Sequence, residues 1–83
     1  MSIFSRVSFL DKLLFTKHLS VMIKSGVIVS EALIILIEQT RSKALAKVLH
    51  AVSTDIQNGQ PMARAMSRHP NVFDQFYPIK NHN

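Results

Sequence analysis

Four histidines and five carboxylates are the side chains of this 83-residue sequence that could carry acid–base or metal chemistry. Zinc held from one helix needs two imidazoles a turn apart, as an i, i+4 pair or within H-E-x-x-H, and His18, His50, His69 and His82 show neither spacing. His18 borders an apolar arc beside Met22 and reads as a flanking packing residue, His50 lies on a wet helix face, and His82 stands in the tail. Glu31 and Glu38 share a helix face, but seven residues separate them by about 10.5 Å along the axis, wide for a general acid and its base. Asp11, Asp55 and Asp74 stand apart from them and from each other.

No cysteine is present, which removes thiolate nucleophiles, thiolate metal ligands and disulfides together and fits a reducing compartment, the cytoplasm by default. The two glycines, Gly26 and Gly59, are far apart and each falls where a helix should stop, so no phosphate-cradling loop is formed. The reactive residues therefore predict no catalytic, cofactor-binding or metal-binding site, and an enzyme is not expected.

The net charge of +5 points toward nucleic acid, acidic lipid or an acidic partner only if it is concentrated. Here Arg6, Lys12, Lys17, Lys24, Arg41, Lys43, Lys47, Arg64, Arg68 and Lys80 are dispersed singly or in loose pairs. A small basic helical DNA-binding protein is the alternative reading, since short helices and a basic balance suit a helix-turn-helix. Against it, the helix after the first turn, "SEALIILIEQT", is acidic and apolar where a recognition helix would expose Arg, Asn or Gln. A membrane span needs about 20 consecutive apolar residues. The longest uninterrupted apolar run is residues 32–37, and the start "MSIFSRVSF" has no sustained apolar core, so the chain by itself is expected to be soluble.

The elements that would position these residues are helices. With 47% hydrophobic residues, two Gly and three Pro, the chain is too apolar for disorder and too poor in breakers for many β-turns. Ser8 and Asp11 have the spacing of a capping box, which starts a first helix at Phe9. On that helix Phe15, Leu19, Met22, Ile23 and Gly26 fall in one arc, while Leu10, Leu14 and Val21 form a second apolar stripe. Two stripes predict a helix covered on both sides, by the bundle and by something else.

"IKSGVIVSEAL", residues 23–33, admits a buried strand or a corner between helices. The corner is favoured, because a lone strand would have no partner. Gly26 then ends the first helix, Val27-Ile28-Val29 is an extended connector, and Ser30 caps a second helix over 31–39, with Val29 packing on Leu33 or Ile34. That helix turns Leu33, Leu36 and Ile37 inward, leaves Ile34 at the flank and puts Ile35 on the far side near Glu31 and Glu38. A third helix over 42–58 is the clearest, with Leu45, Val48, Leu49, Val52 and Ile56 opposite Lys43, Lys47, His50, Thr54 and Asn58. Gly59 stops it, and Pro61 opens a short fourth helix to Ser67 or Arg68 with Met62, Ala65 and Met66 inward. After the break at Pro70, Asn71 or Asp74 is expected to cap a further turn packed by Val72, Phe73, Phe76 and Tyr77, which Pro78 keeps short.

In order, "FTKHLSVMIKSGVIVSEAL", "LAKVLHAVSTDIQNGQPMARAM" and "HPNVFDQFY" resemble the cytoplasmic domain of the type II secretion system F family, which includes the inner-membrane platform proteins of type IV pilus machines. Phe15, Leu19, Gly26, Ala32, Leu33, Gly59, Ala65, Pro70 and Phe73 carry the resemblance as family-signature structural residues. It implies an all-α fold, an antiparallel bundle of about four helices that forms part of a six-helix domain. Residues 8–77 would be that incomplete domain, between a flexible segment 1–7 and a frayed tail 78–83.

The function implied is a non-enzymatic scaffold and interaction domain at the cytoplasmic face of the bacterial inner membrane, without cofactors. Its implied partners are the secretion or pilus assembly ATPase and other inner-membrane machinery proteins. Nucleic acid is not among them, and the membrane would be met only through parts of the family outside this chain. After Tyr77 the family pattern continues through a long helix with a Gly-Glu signature, whereas here "PIKNHN" follows, as expected of an excerpt or a truncated gene product. Four helices of six would leave apolar surface uncovered. Leu10, Leu14, Val21, Ile34 and Ile35 are therefore the candidate contact surface, and self-association is expected.

Overall fold

The computed structural model describes residues 7–73, and among them it contains helices and no strand. The order is α1 (Phe9–Lys24), α2 (Val29–Gln39), α3 (Lys43–Gln57), α4 (Met62–Ser67) and α5 (Pro70–Phe73). This is the all-α bundle expected, with the turn after Pro70 appearing as the short α5. The expected packing of Phe76 and Tyr77, the cap at Asp74, the frayed tail and most of the N-terminal segment lie outside the described residues. Val7 does not: it packs against the core just ahead of α1.

Local chemistry explains most of the boundaries. Ser8 Oγ accepts from the Asp11 amide at 3.0 Å, and Asp11 Oδ2 accepts from the Ser8 amide at 3.3 Å, so two first-turn donors are satisfied reciprocally. Ser42 Oγ does the same for α3, accepting from the Leu45 amide at 3.0 Å. The exits of α1 and α3 are built alike. Gly26 donates to the Ile23 carbonyl and Val27 to the Met22 carbonyl, both at 3.0 Å; Gly59 donates to Ile56 and Gln60 to Asp55, also at 3.0 Å. This paired closure needs a left-handed residue, and Gly26 and Gly59 have φ of +92° and +95°.

Three local expectations are corrected. Ser30 is not a cap: α2 begins at Val29, its N-cap is Ile28, and no side chain caps it. The Ala32 amide already bonds the Ile28 carbonyl at 2.9 Å, and Val27 and Val29 pack against the core. Apolar packing thus draws the helix start back past the residue best suited to cap it. Asn71 does not cap α5 either. It lies inside a turn whose first amides, Val72 and Phe73, bond the His69 carbonyl at 3.0 and 3.1 Å, with Pro70 in the leading position that its missing N–H suits. Ile35 is half-buried rather than on the far side, because the buried arc of α2 is centred on Ala32, Leu33 and Leu36.

The core joins all five helices: Phe15 and Leu19, then Ala32, Leu33 and Leu36, then Leu45, Leu49 and Val52, closed by Ala65, Met66, Val72 and Phe73. α2 packs most extensively on α3, α1 lies on α2, and α4 leads from α3 to α5. α1 and α5 meet where the rings of Phe15 and Phe73 sit 5.8 Å apart at 48°, a tilted aromatic pair within the favourable range. Ser53 is the buried polar residue of this core, and its hydroxyl accepts from Gln57 Nε2 at 3.3 Å.

A methyl group added at Gly26 or Gly59 would meet nothing within 4 Å, so any penalty there comes from the backbone alone. Gly26→Ala and Gly59→Ala should each cost about 1 kcal/mol, read as a lower urea midpoint at unchanged m-value, and the Asn variants should lose less.

Candidate interaction surface

α1 is apolar around most of its circumference, and the bundle covers only one side of it. Phe15 and Leu19 are buried, whereas Leu10, Leu14 and Val21 are 60%, 43% and 55% exposed. Phe9 and Leu13 stand exposed beside them, with Lys17, Ser20 and Lys24 set into the same outer face. A soluble helix usually places its polar residues there, so this face departs from the ordinary surface helix.

On one flank the stripe borders an open cleft of about 370 Å³. Leu10, Leu14 and Phe15 of α1 form one wall, Leu36 of α2 with Leu45 and Leu49 of α3 form the floor, and Asp11, His18, Gln39, Thr40 and Arg41 make a polar rim. Expected as a packing residue, His18 is exposed at this rim, because it lies beyond the arc that Phe15 and Leu19 bury. On the opposite flank Lys12 Nζ donates to the Asn71 carbonyl at 3.1 Å, tying α1 to α5.

Of the candidate contact residues, Leu10 and Leu14 come together at the cleft, and Val21 continues their stripe along α1. Ile34, 47% exposed, and the half-buried Ile35 lie on α2 and do not line the cleft. The periodicity of α1 announced its stripe, but the rim combines residues of α1 with the α2–α3 connector. The one sequence signal for it is that Asp11 and His18, seven apart, share a face beside Leu10 and Leu14.

The signature residues occupy structural posts. Phe15, Leu19, Ala32, Leu33, Ala65 and Phe73 are buried, the two glycines are the corners, and Pro70 opens α5. Glu31, Glu38 and His50 are exposed on separate surfaces, and among the described residues no three His, Asp or Glu side chains are grouped to hold a metal ion. The Asp55–Arg68 pair, 3.3 Å apart with Arg68 largely exposed, links α3 to the end of α4 and belongs to the class of surface pairs that contribute little. Among the described residues the arrangement offers apolar surface for contact and no converging reactive groups.

A family model described as type II secretion system (T2SS), protein F matches residues 15–79, most of the chain. The chain belongs to this family. Among curated proteins it is similar to the type IV pilus assembly protein PilC of Myxococcus xanthus, with 36% identity over 67 residues that make up 81% of this chain and 16% of that protein. PilC of Thermus thermophilus is 31% identical over the same shares. The type IV pilus assembly protein TapC of Aeromonas hydrophila is 23% identical over 88% of this chain and 18% of its own length. The chain thus spans less than a fifth of these relatives. No solved structure gives a significant match.

As a secretion F-family domain, the chain should tolerate change on its outer α1 face and resist it in the core. Leu14→Ser should alter unfolding free energy by less than about 1 kcal/mol, whereas Leu49→Ala should cost about 2–5 kcal/mol, both measured by urea unfolding.

Proposed function

We propose that this chain is a scaffold and interaction domain of an inner-membrane platform protein for type II secretion or type IV pilus assembly. It would work at the cytoplasmic face of the bacterial inner membrane, binding the assembly ATPase and other machinery proteins and catalysing no reaction. The observation that carries the reading is the family match over residues 15–79, supported by relatives that bear the names of pilus assembly proteins. The exposed apolar side chains along α1 suit a domain that works by contact.

Among the described residues no helix is long and apolar enough to cross a membrane. On this reading, membrane attachment belongs to the segments that the relatives carry outside the matched stretch.

The test is binding of the immobilised chain to the purified assembly ATPase of the same bacterium, in parallel with a duplex DNA. The expected result is ATPase binding that persists to about 0.5 M salt, where exposed charge pairs are screened. Absence of ATPase binding, together with duplex binding that falls steeply with salt, would overturn the proposal in favour of a basic DNA-binding protein.

A further inference from the structure

We infer that the corner where α4 and α5 meet the first turn of α1 is a docking surface for anionic phospholipid headgroups, formed by Lys12, Arg64, Arg68 and His69, and that it turns this side of the domain toward the membrane. The inference rests on the inner-membrane setting proposed above. Attachment stays with segments outside this chain, and the corner sets the direction in which the domain faces. The sequence read alone has the membrane met only through those other segments, because its cations are dispersed along the chain.

The fold gathers what the sequence disperses. Lys12 and Asn71 are 59 residues apart, and the hydrogen bond from Lys12 Nζ to the Asn71 carbonyl brings the ammonium beside α5. There Lys12, Arg68 and His69 line an open hollow of about 590 Å³, against a wall that includes Val48 and Val72. Arg68 also lines the neighbouring hollow, together with Arg64 one helical turn before it. The described residues that line these two hollows include no carboxylate. Asp55 pairs with Arg68 Nη1 at 3.3 Å, which engages one donor of a guanidinium that has five. Arg64 is exposed and has no ion-pair partner among the described residues. The other acids stand elsewhere: Glu31 and Glu38 are on α2, which lines neither hollow, and Asp11 lies at the cleft on the other flank of α1.

Charge of one sign spread over an open corner suits a plane of headgroups. Because the two hollows adjoin through Arg68, phosphates of neighbouring lipids can meet Arg64, Arg68 and Lys12 together, the arginines in forked contact. A duplex is read by a helix that enters a groove, whereas α4 is only 6 residues long. Magnitude then decides the role. Each cation near an anionic surface strengthens association about fivefold, so Lys12, Arg64 and Arg68 would hold a free domain only weakly. They suffice to choose one face over another in a domain that other segments already keep at the membrane.

Sedimentation with sucrose-loaded vesicles tests this on the chain itself. At about 0.05 M salt it should bind vesicles of equal parts phosphatidylglycerol and phosphatidylcholine but not phosphatidylcholine alone, and about 0.5 M salt should release it. Arg64→Gln with Arg68→Gln should weaken binding at least about tenfold, with helical circular dichroism unchanged. Lys43→Gln with Lys47→Gln removes the same charge from a surface that shares no residue with the two hollows, and should weaken binding less than about threefold. Because the chain has no cysteine, a single fluorescent label can report direction, and it decides even if the arginine variant fails to fold. A label at Ser67→Cys, between the two arginines, should be quenched by headgroup nitroxides in the anionic vesicles, and one at Gln39→Cys, on the cleft across α1, should not. The inference is overturned if the chain ignores anionic vesicles, if both double variants lose binding equally, the mark of net charge alone, or if both labels are quenched alike. Tighter binding to duplex DNA than to vesicles at equal phosphate concentration also overturns it. A chain that captures the ATPase and ignores vesicles would sink this inference and leave the scaffold reading standing, so the two fail separately.

Discussion

Two left-handed glycines fold this chain. Both α1 and α3 end on a closure in which successive amides reach back to carbonyls three and five residues earlier, and only a residue at positive φ lets the backbone do this. Gly26 sends α2 back against α1, and Gly59 sends α4 back against α3. Connectors this short leave consecutive helices no choice but to pack on one another, so the core is assembled from neighbours in sequence. Distant closure comes from the aromatic pair between Phe15 and Phe73 and from Lys12 Nζ donating to the Asn71 carbonyl, which join the first helix to the last.

The same economy leaves α1 unfinished. A helix that starts on a capping box and stops on a glycine closure is defined at both ends, and Phe15 and Leu19 hold its inner side. Nothing among the described residues lies over Leu10, Leu14 or Val21 deeply enough to bury them. Taking such a side chain from full exposure to full burial is worth about 1.5–3 kcal/mol, and since these are already about half covered a contact could recover about half of that from each. Among the described residues no three His, Asp or Glu side chains are grouped, and this apolar face is the feature from which function can be argued. The chain belongs to the type II secretion system protein F family, and on the function proposed above that face would meet other secretion or pilus assembly machinery.

Much of this was legible in the sequence where the cause is local. The Ser8–Asp11 box, the two glycine stops and the one-sided third helix each depend on residues within a few positions, and each stands where the pattern placed it. Non-local causes defeated the reading. Ser30 has the chemistry of a cap, yet packing of Val27 and Val29 moved the helix start ahead of it. Spacing alone centres the inward arc of α2 too far toward Ile37 and so puts Ile35 opposite the core, whereas Ala32, small and fully buried, shifts the arc back. The stripe on α1 was visible as periodicity. The cleft beside it was not, since Arg41, Leu45 and Leu36 reach His18 and Leu14 only through the fold.

The central claim is that the apolar outer face of α1 is a surface for contact that the fold of the chain does not itself need. Binding of a fluorescent apolar dye to the chain and to a variant carrying Leu10→Ser and Leu14→Ser tests it most directly. The account predicts dye binding by the parent chain, and its loss in the variant with helical circular dichroism unchanged. Dye binding that survives both substitutions, or a variant that loses its helix signal, would contradict it.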